Sequence, residues 1–242
     1  MSESLLVEQF ARLLDALPEA EPWPVLVESG FLDLLRPEAD GGAGLQLEDL
    51  FPLALETGRR SAVPPVLETM AARLAHPDAT DVRDVEPIHG RALAAVLAAG
   101  QMAGAMAEVQ RLTVDYALQR QQFGREIGKF QAVQHQIAVL AEEVMAARMA
   151  AQAAFVGPPT EVQDARAAVA KIRAGQAAAL VCSIAHAVHG AIGVSEEFVL
   201  HRHTRRLRAW RLAHGGEGWW ARRLGAVAVA EPADITTLAR QF

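Results

Sequence analysis

Apolar residues in the first third of the chain recur at helical spacing and are cut at short intervals by proline and glycine. Leu5, Leu6, Phe10, Leu13 and Leu14 mark one helix face before Pro18 stops it. Trp23–Leu35 continues in two pieces around Gly30, and Arg36-Pro37 ends the run. Residues 38–44, Glu-Ala-Asp-Gly-Gly-Ala-Gly, read as a loop. A helix is predicted from near Leu47, and another over Pro65–Ala75 with proline in its first turn. Residues 76–90, HPDATDVRDVEPIHG, are polar and read as a connector. Beyond them the pattern changes to long helices over about 91–119, 129–156 and 161–188. Phe130, Val133, Ile137, Leu140 and Val144 form the buried stripe of the second, and Gly157-Pro158-Pro159 separates it from the third. The third is rich in alanine on its apolar side, which permits close helix approach. Segments 195–211 and 217–230 supply the fourth wall. The predicted fold is all-α: an N-terminal helical domain (1–76), a linker (77–90) and a C-terminal four-helix bundle (91–242).

Composition agrees with that pattern. Of 242 residues 48 are alanine and one is tyrosine, and 51% are hydrophobic against 5% aromatic, which favours helix over sheet. Cys182, the one cysteine, sits in an apolar run and reads as a packed thiol. No basic n-region and apolar h-region open the chain, and its apolar stretches are interrupted by polar residues, so a cytoplasmic protein with no membrane span is expected. Charge is uneven: residues 1–89 carry net −11 and residues 90–242 net +5. Arg202, Arg205, Arg206, Arg208, Arg211, Arg222 and Arg223 hold much of the basic excess. They could meet a polyphosphate or an acidic partner, or be a solvated helix face. Sparse aromatics and the absence of a nucleic-acid motif argue against nucleic acid.

Several chemistries lack their residues. A di-iron bundle needs paired Glu-x-x-His motifs, and the one present, Glu86–His89, lies in the connector. His186 and His189 have no acidic residue at useful spacing, so no metal is expected. No Gly-x-Ser-x-Gly or phosphate-binding Gly-x-x-x-x-Gly-Lys occurs. Two stretches remain unusual. Residues 116–135 concentrate Arg, Phe and amide side chains around a glycine turn, where an Arg fork can clamp a pyrophosphate while Phe and Gln face a purine. Residues 189–197, His-Gly-Ala-Ile-Gly-Val-Ser-Glu-Glu, allow positive φ and close backbone approach to a ligand, with Ser195 and Glu196 or Glu197 placed to cap the next helix.

Together these stretches resemble the acyl-CoA dehydrogenase family. The N-terminal run from Val27 to Gly58, with its Glu-Ser-Gly-Phe-Leu-Asp-Leu-Leu-Arg-Pro-Glu and Gly-Gly-Ala-Gly-Leu, is similar to that family's N-terminal helical domain. The Arg120-x-x-Phe123-Gly124 turn with Phe130-Gln131, and the His189-Gly190-x-x-Gly193-x-x-x-Glu197 run, are similar to its C-terminal bundle. The resemblance implies FAD as cofactor and α,β-dehydrogenation of an acyl-CoA thioester, in which a carboxylate base takes the α proton and the flavin the β hydride. It places Arg120 on the FAD pyrophosphate with Gln122 and Phe123 beside it. Gln131 would reach the adenosine portion of FAD held by a neighbouring subunit, and Gly190 would lie in the loop closing over it.

The departures are as specific. The family's middle β domain is missing, its place taken by the connector. The loop Gln before the glycines is Ala187, and the second loop glycine is Ala191. Of the family's two catalytic Glu positions, one falls on His214 and the other on Ala94. His214 is the candidate base, its ordinary pKa being about 6.5, and Glu217 the second candidate. Two readings follow: a shortened dehydrogenase reliant on a partner subunit, or a non-catalytic subunit that only completes the FAD site of a full-length partner. A homo-oligomer or heteromer is expected in either case. A plain helical scaffold would explain the losses and leave the retained turn unexplained.

Overall fold

The computed structural model describes residues 3–60, 62–80 and 90–230. Most of the linker, with Glu86 and His89, lies outside them. The described residues form nine α-helices in this order: α1 (Glu3–Ala16), α2 (Pro22–Glu28), α3 (Leu47–Arg59), α4 (Val66–Ala72), α5 (Arg91–Gln119), α6 (Gln131–Ala154), α7 (Asp164–His189), α8 (Leu200–Leu212) and α9 (Glu217–Ala230). Two short strands, β1 (Gln121–Gln122) and β2 (Arg125–Glu126), join α5 to α6. The fold is all-α, with helical bundling as expected.

Helix α5 is the axis. It packs against α3 on one side and against α6, α7 and α8 on the others, while α9 lies along α7. Its 29 residues include 18 buried ones, mostly Ala, Leu, Val and Met. Small residues set the spacing on the α3 side. A Cβ on Gly58 would stand 2.0 Å from the Gln101 carbonyl oxygen, and one on Gly104 would stand 2.1 Å from that of Leu55. The two backbones therefore touch, and one apolar core runs from Phe10 and Leu50 through Met102 to Ala177 and Trp220. Arg60 reinforces the join: its guanidinium donates to both Asp15 carboxylate oxygens at 2.7 and 2.9 Å and to Glu56, and its carbonyl accepts from Arg206 of α8. That contact holds the Asp15 carboxyl below its ordinary pKa, the Arg60 hydrogen bond being the main cause.

One expectation changes. Ser195 does not cap the next helix, because residues 190–194 continue as a 3₁₀ turn after α7 and α8 begins five residues beyond Ser195 with no side-chain cap. Helices α5 and α7 are long and apolar enough to cross a membrane by length and composition alone. In this fold 83% of the most apolar window of α5 is buried, against 44% for α7. The difference leaves Ala179, Leu180, Ser183 and Ala187 of α7 exposed, and Met145 and Met149 of α6 are exposed as well.

Candidate functional site

The chain leaves α5 through a two-residue hairpin. Gln121 pairs with Glu126 and Gln122 with Arg125, and the tip residues Phe123 and Gly124 have φ of 53° and 77°. Positive φ at both tip positions is the primed turn that matches strand twist. Glycine adopts it freely, whereas phenylalanine is strained there. Phe123 is nevertheless 91% exposed, so nothing buried is gained for the strain. Ile127 anchors the hairpin: its side chain is buried and its N–H donates to the Arg120 carbonyl at 2.8 Å. Arg125 lies 4.2 Å over the Phe130 ring and Lys129 pairs with Glu126. Arg120 is exposed, and no described carboxylate pairs with it. Gln122 and Gln131, the latter the first residue of α6, are exposed as well.

The second stretch comes to meet this one. Tyr116, one turn before Arg120, stacks on His189 with ring centroids 4.4 Å apart, and its hydroxyl donates to the His189 carbonyl at 3.3 Å. Phe198 closes the aromatic group edge-on. Burial pushes the His189 pKa down, and its Nδ1 donates to the Ala185 carbonyl at 2.7 Å. Gly190 follows with φ 64° and ψ −143°, a conformation essentially reserved for glycine, and a Cβ there would meet open space. Arg120, Gln122, Phe123, Gln131 and Gly190 thus belong to two segments joined through Tyr116.

The remaining candidates lie elsewhere. His214 and Gly215 form the turn between α8 and α9, with φ of 58° and 101°. The His214 carbonyl accepts from Trp220 Nε1 at 3.2 Å. Lys171, 1% exposed inside α7, donates Nζ to the carbonyls of Trp210 and Arg211 at 2.7 and 2.9 Å, closing the end of α8. Burial pushes that ammonium down to about 8. Glu217 is turned toward α7: it accepts from Arg211, and its carboxylate fills the space beside Gly175 that a Cβ would need. His214 is exposed as a residue, yet partial burial of its ring lowers the imidazole pKa, and the field of Glu68 raises it in part. Ala94 sits in the first turns of α5.

The two groups occupy opposite ends of one helix. Arg91, at the start of α5, stacks 4.4 Å over Trp219 of α9, beside the His214 turn. Arg120 caps the other end. At 1.5 Å per residue the separation is roughly 40 Å, longer than an extended flavin dinucleotide.

Lys171 carries weight that no motif signalled, and Tyr116, though inside the 116–135 stretch, gave no sign of its contact with His189. The hydrogen bond from Gln101 of α5 to Glu68 of α4, 2.7 Å long, had a faint signal, a lone amide within the apolar run Val96–Met106. Cys182 is buried, which pushes its thiol up to about 11 and leaves it inert. Of the arginine cluster, Arg206, Arg211 and Arg223 are spent on Arg60, Glu217 and Asp164, while Arg202, Arg205 and Arg208 are exposed on α8.

Comparison with known proteins adds the following. Residues 89–227 match the family model for the acyl-CoA dehydrogenase C-terminal domain. Acyl-CoA dehydrogenase IpdE2 of Mycobacterium tuberculosis is 31% identical over 215 residues, covering 86% of this chain and 64% of that protein. A 3-sulfinopropanoyl-CoA desulfinase of Paraburkholderia xenovorans is 36% identical over 104 residues, 43% of this chain and 27% of that protein. The chain thus spans less than two thirds of these relatives. Among solved structures, a chain of the ChsE4-ChsE5 complex of Mycobacterium tuberculosis superposes with a TM-score of 0.80 at 18% identity, covering 96% of this chain and 98% of that one. A variant of the Tcur3481-Tcur3483 steroid ACAD gives 0.77 at 21% identity, covering 95% and 100%. Glutaryl-coenzyme A dehydrogenase gives 0.53 at 27%, covering 58% and 36%.

Proposed function

The chain belongs to the acyl-CoA dehydrogenase family, and we propose that within it the chain is a partner-dependent subunit. It completes an FAD site held largely by a full-length dehydrogenase-like chain, and the pair oxidises an acyl-CoA thioester between its α and β carbons. The observation that carries this reading is the separation along α5. The cofactor-type residues at Arg120 and the family's base positions at Ala94 and His214 are too far apart for one flavin to touch both. A subunit built this way gives its Arg120 end to a cofactor that belongs to another chain.

The residues at that end fit FAD. An exposed guanidinium with no described carboxylate partner suits a pyrophosphate. The strained, exposed Phe123 offers an aromatic face, Gln122 and Gln131 offer amides, and Gly190 lets backbone approach closely. FAD, when bound, supplies the hydride acceptor. Only residues 73–90 separate α4 from α5, too few for the family's β domain, so a wall for the flavin ring must come from a partner. The exposed Met145, Met149 and Leu180 with the alanines of α7 provide an apolar face for such a partner. Two of the structures that this fold matches are themselves two-protein assemblies by name.

The test is co-expression with a full-length acyl-CoA dehydrogenase-like chain, followed by size-exclusion chromatography and a flavin absorbance spectrum. A stable complex carrying FAD is expected. A charge-assisted contact is worth about 1.5–3 kcal/mol, so Arg120→Ala should weaken FAD retention about ten-fold or more. Arg125→Ala, whose guanidinium already rests on Phe130, serves as control. Equal retention in Arg120→Ala removes the assignment. A stable, flavin-free monomer in every mixture removes the subunit reading.

A further inference from the structure

A cleft of about 460 Å³ opens between α7 and α8. Its floor is apolar and built from small residues, Ala178, Ala179 and Cys182 of α7, with Leu207 of α8 beside them. The α8 side is basic: Arg208 and Arg211, one turn apart, both line it, and Ser183 adds a hydroxyl from α7. A volume in this range, with an apolar lining and a few polar groups, is that of a small-molecule site.

Arginines on an exposed helix ordinarily extend into water, which screens them. Here their fields converge on the cleft. Burial raises the Cys182 thiol to about 11, and the fields of Arg208 and Arg211 both pull it back. Burial lowers the pKa of His186, another lining residue, and the field of Arg208 lowers it further. No carboxylate lines the cleft among the described residues. Arg211 gives its Nε–H to Glu217, whereas Arg208 pairs with no carboxylate among the described residues. The interior of the cleft is therefore electropositive and unanswered.

We propose that this cleft binds an organic monocarboxylate with an aliphatic body. Arg208 takes the carboxylate, with Arg211 and Ser183 beside it, and the chain lies over Ala178, Ala179, Cys182 and Leu207. A planar guanidinium fork matches a carboxylate bidentately. The class follows from what the lining holds and what it lacks. No Phe, Tyr or Trp lines the cleft, so a nucleobase has no stacking platform there. With Arg211 answered by Glu217, one guanidinium is left over, which suits a monoanion better than a phosphate dianion. The α7 side runs from Ala178 to His186, roughly 12 Å at the helical rise, which suits a chain rather than a bare ion. The site needs neither flavin nor partner, and it stands whether or not the chain completes an FAD site.

Octanoate is the probe, titrated into the purified full chain and followed by calorimetry. Saturable binding of one octanoate per chain is expected. Octanamide keeps the chain without the charge and acetate keeps the charge without the chain, so each should bind at least ten-fold more weakly. Arg208→Gln should weaken octanoate at least ten-fold. Its thermal melt should match wild type, because Arg208 is exposed. Arg202→Gln, exposed on the same helix outside the cleft, should leave the affinity unchanged. Ser183→Trp fills the cleft from an exposed position without changing its charge, and should abolish binding. Octanamide as tight as octanoate overturns the proposal, since the arginines then recognise nothing. AMP or octyl phosphate binding more tightly than octanoate overturns the monocarboxylate class. Full affinity in Arg208→Gln or in Ser183→Trp removes the site from the cleft, and absence of saturable octanoate binding overturns it outright.

Discussion

The hairpin after α5 and the turn between α8 and α9 each hold a side chain in left-handed backbone, Phe123 at φ 53° and His214 at φ 58°. These are the two non-glycine residues with positive φ among the described residues. In other respects the two turns are built oppositely. Three side chains clamp the His214 turn from inside: Lys171 on the last carbonyls of α8, Arg211 on Glu217, and Trp220 on the His214 carbonyl. The Phe123 tip is held through the hairpin ladder, Ile127 and an edge-on contact with the Phe130 ring, and leaves most of its own ring to solvent. An internally satisfied turn is complete within one chain. A strained turn with an exposed ring, and an Arg120 with no carboxylate partner among the described residues, is arranged for something outside it.

That contrast can be broken most strongly at the clamp. Lys171→Met leaves the carbonyls of Trp210 and Arg211 without their buried donor. It should cost about 2–4 kcal/mol in urea unfolding while leaving the hairpin intact. The same lysine predicts a pH signature. Its folded pKa is lowered to about 8 from 10.5, so between those values the unfolded chain binds more protons and stability from this group rises with pH. The gain is at most about 1.4 kcal/mol per pH unit. Lys171→Met should lack it, and parallel curves for the two proteins between pH 8 and 10 would refute the buried charge.

At the other turn the expected sign reverses. Phe123→Gly removes left-handed strain and should stabilise the fold by about 1 kcal/mol, yet lower flavin retention in the complex. A melt that falls together with retention would make Phe123 a structural residue. His214→Gly should shift the melt by no more than a few tenths of a kcal/mol, because histidine tolerates that backbone region better than phenylalanine.

What the sequence disclosed follows from the range of the interactions involved. The long helices were legible because Gly157-Pro158-Pro159 and regular apolar spacing are local signals, and both ends of α5 and the start of α9 fell where the pattern placed them. The start of α8 was misplaced by the cap-like Ser195-Glu196-Glu197 run, which the 3₁₀ turn after α7 overrides. The strands β1 and β2 are two residues each, too short for any alternation to register, so only a turn was visible. The Arg120–Phe130 stretch stood out by composition, but the exposure of Phe123 and the union with His189 through Tyr116 required the fold. Glu68 and Gln101 are 33 residues apart on different helices, and nothing in either neighbourhood announces the other. Glu217, a candidate by position, has its carboxylate turned to Arg211 by the tight path from Gly215, a direction no spacing argument supplies.

The contact between α3 and α5 has a consequence for how this chain can drift in sequence. Gly58 and Gly104 lie against each other's helix backbone, so each position is closed to every side chain, alanine included. Most of the buried positions of α5 tolerate exchange among Ala, Val, Leu and Met if total volume is conserved. These two do not, because the neighbour is a carbonyl rather than a repackable side chain. A random library over α3 and α5 should therefore return a permissive interior pierced by two invariant points, and those points set the distance between the two helix axes.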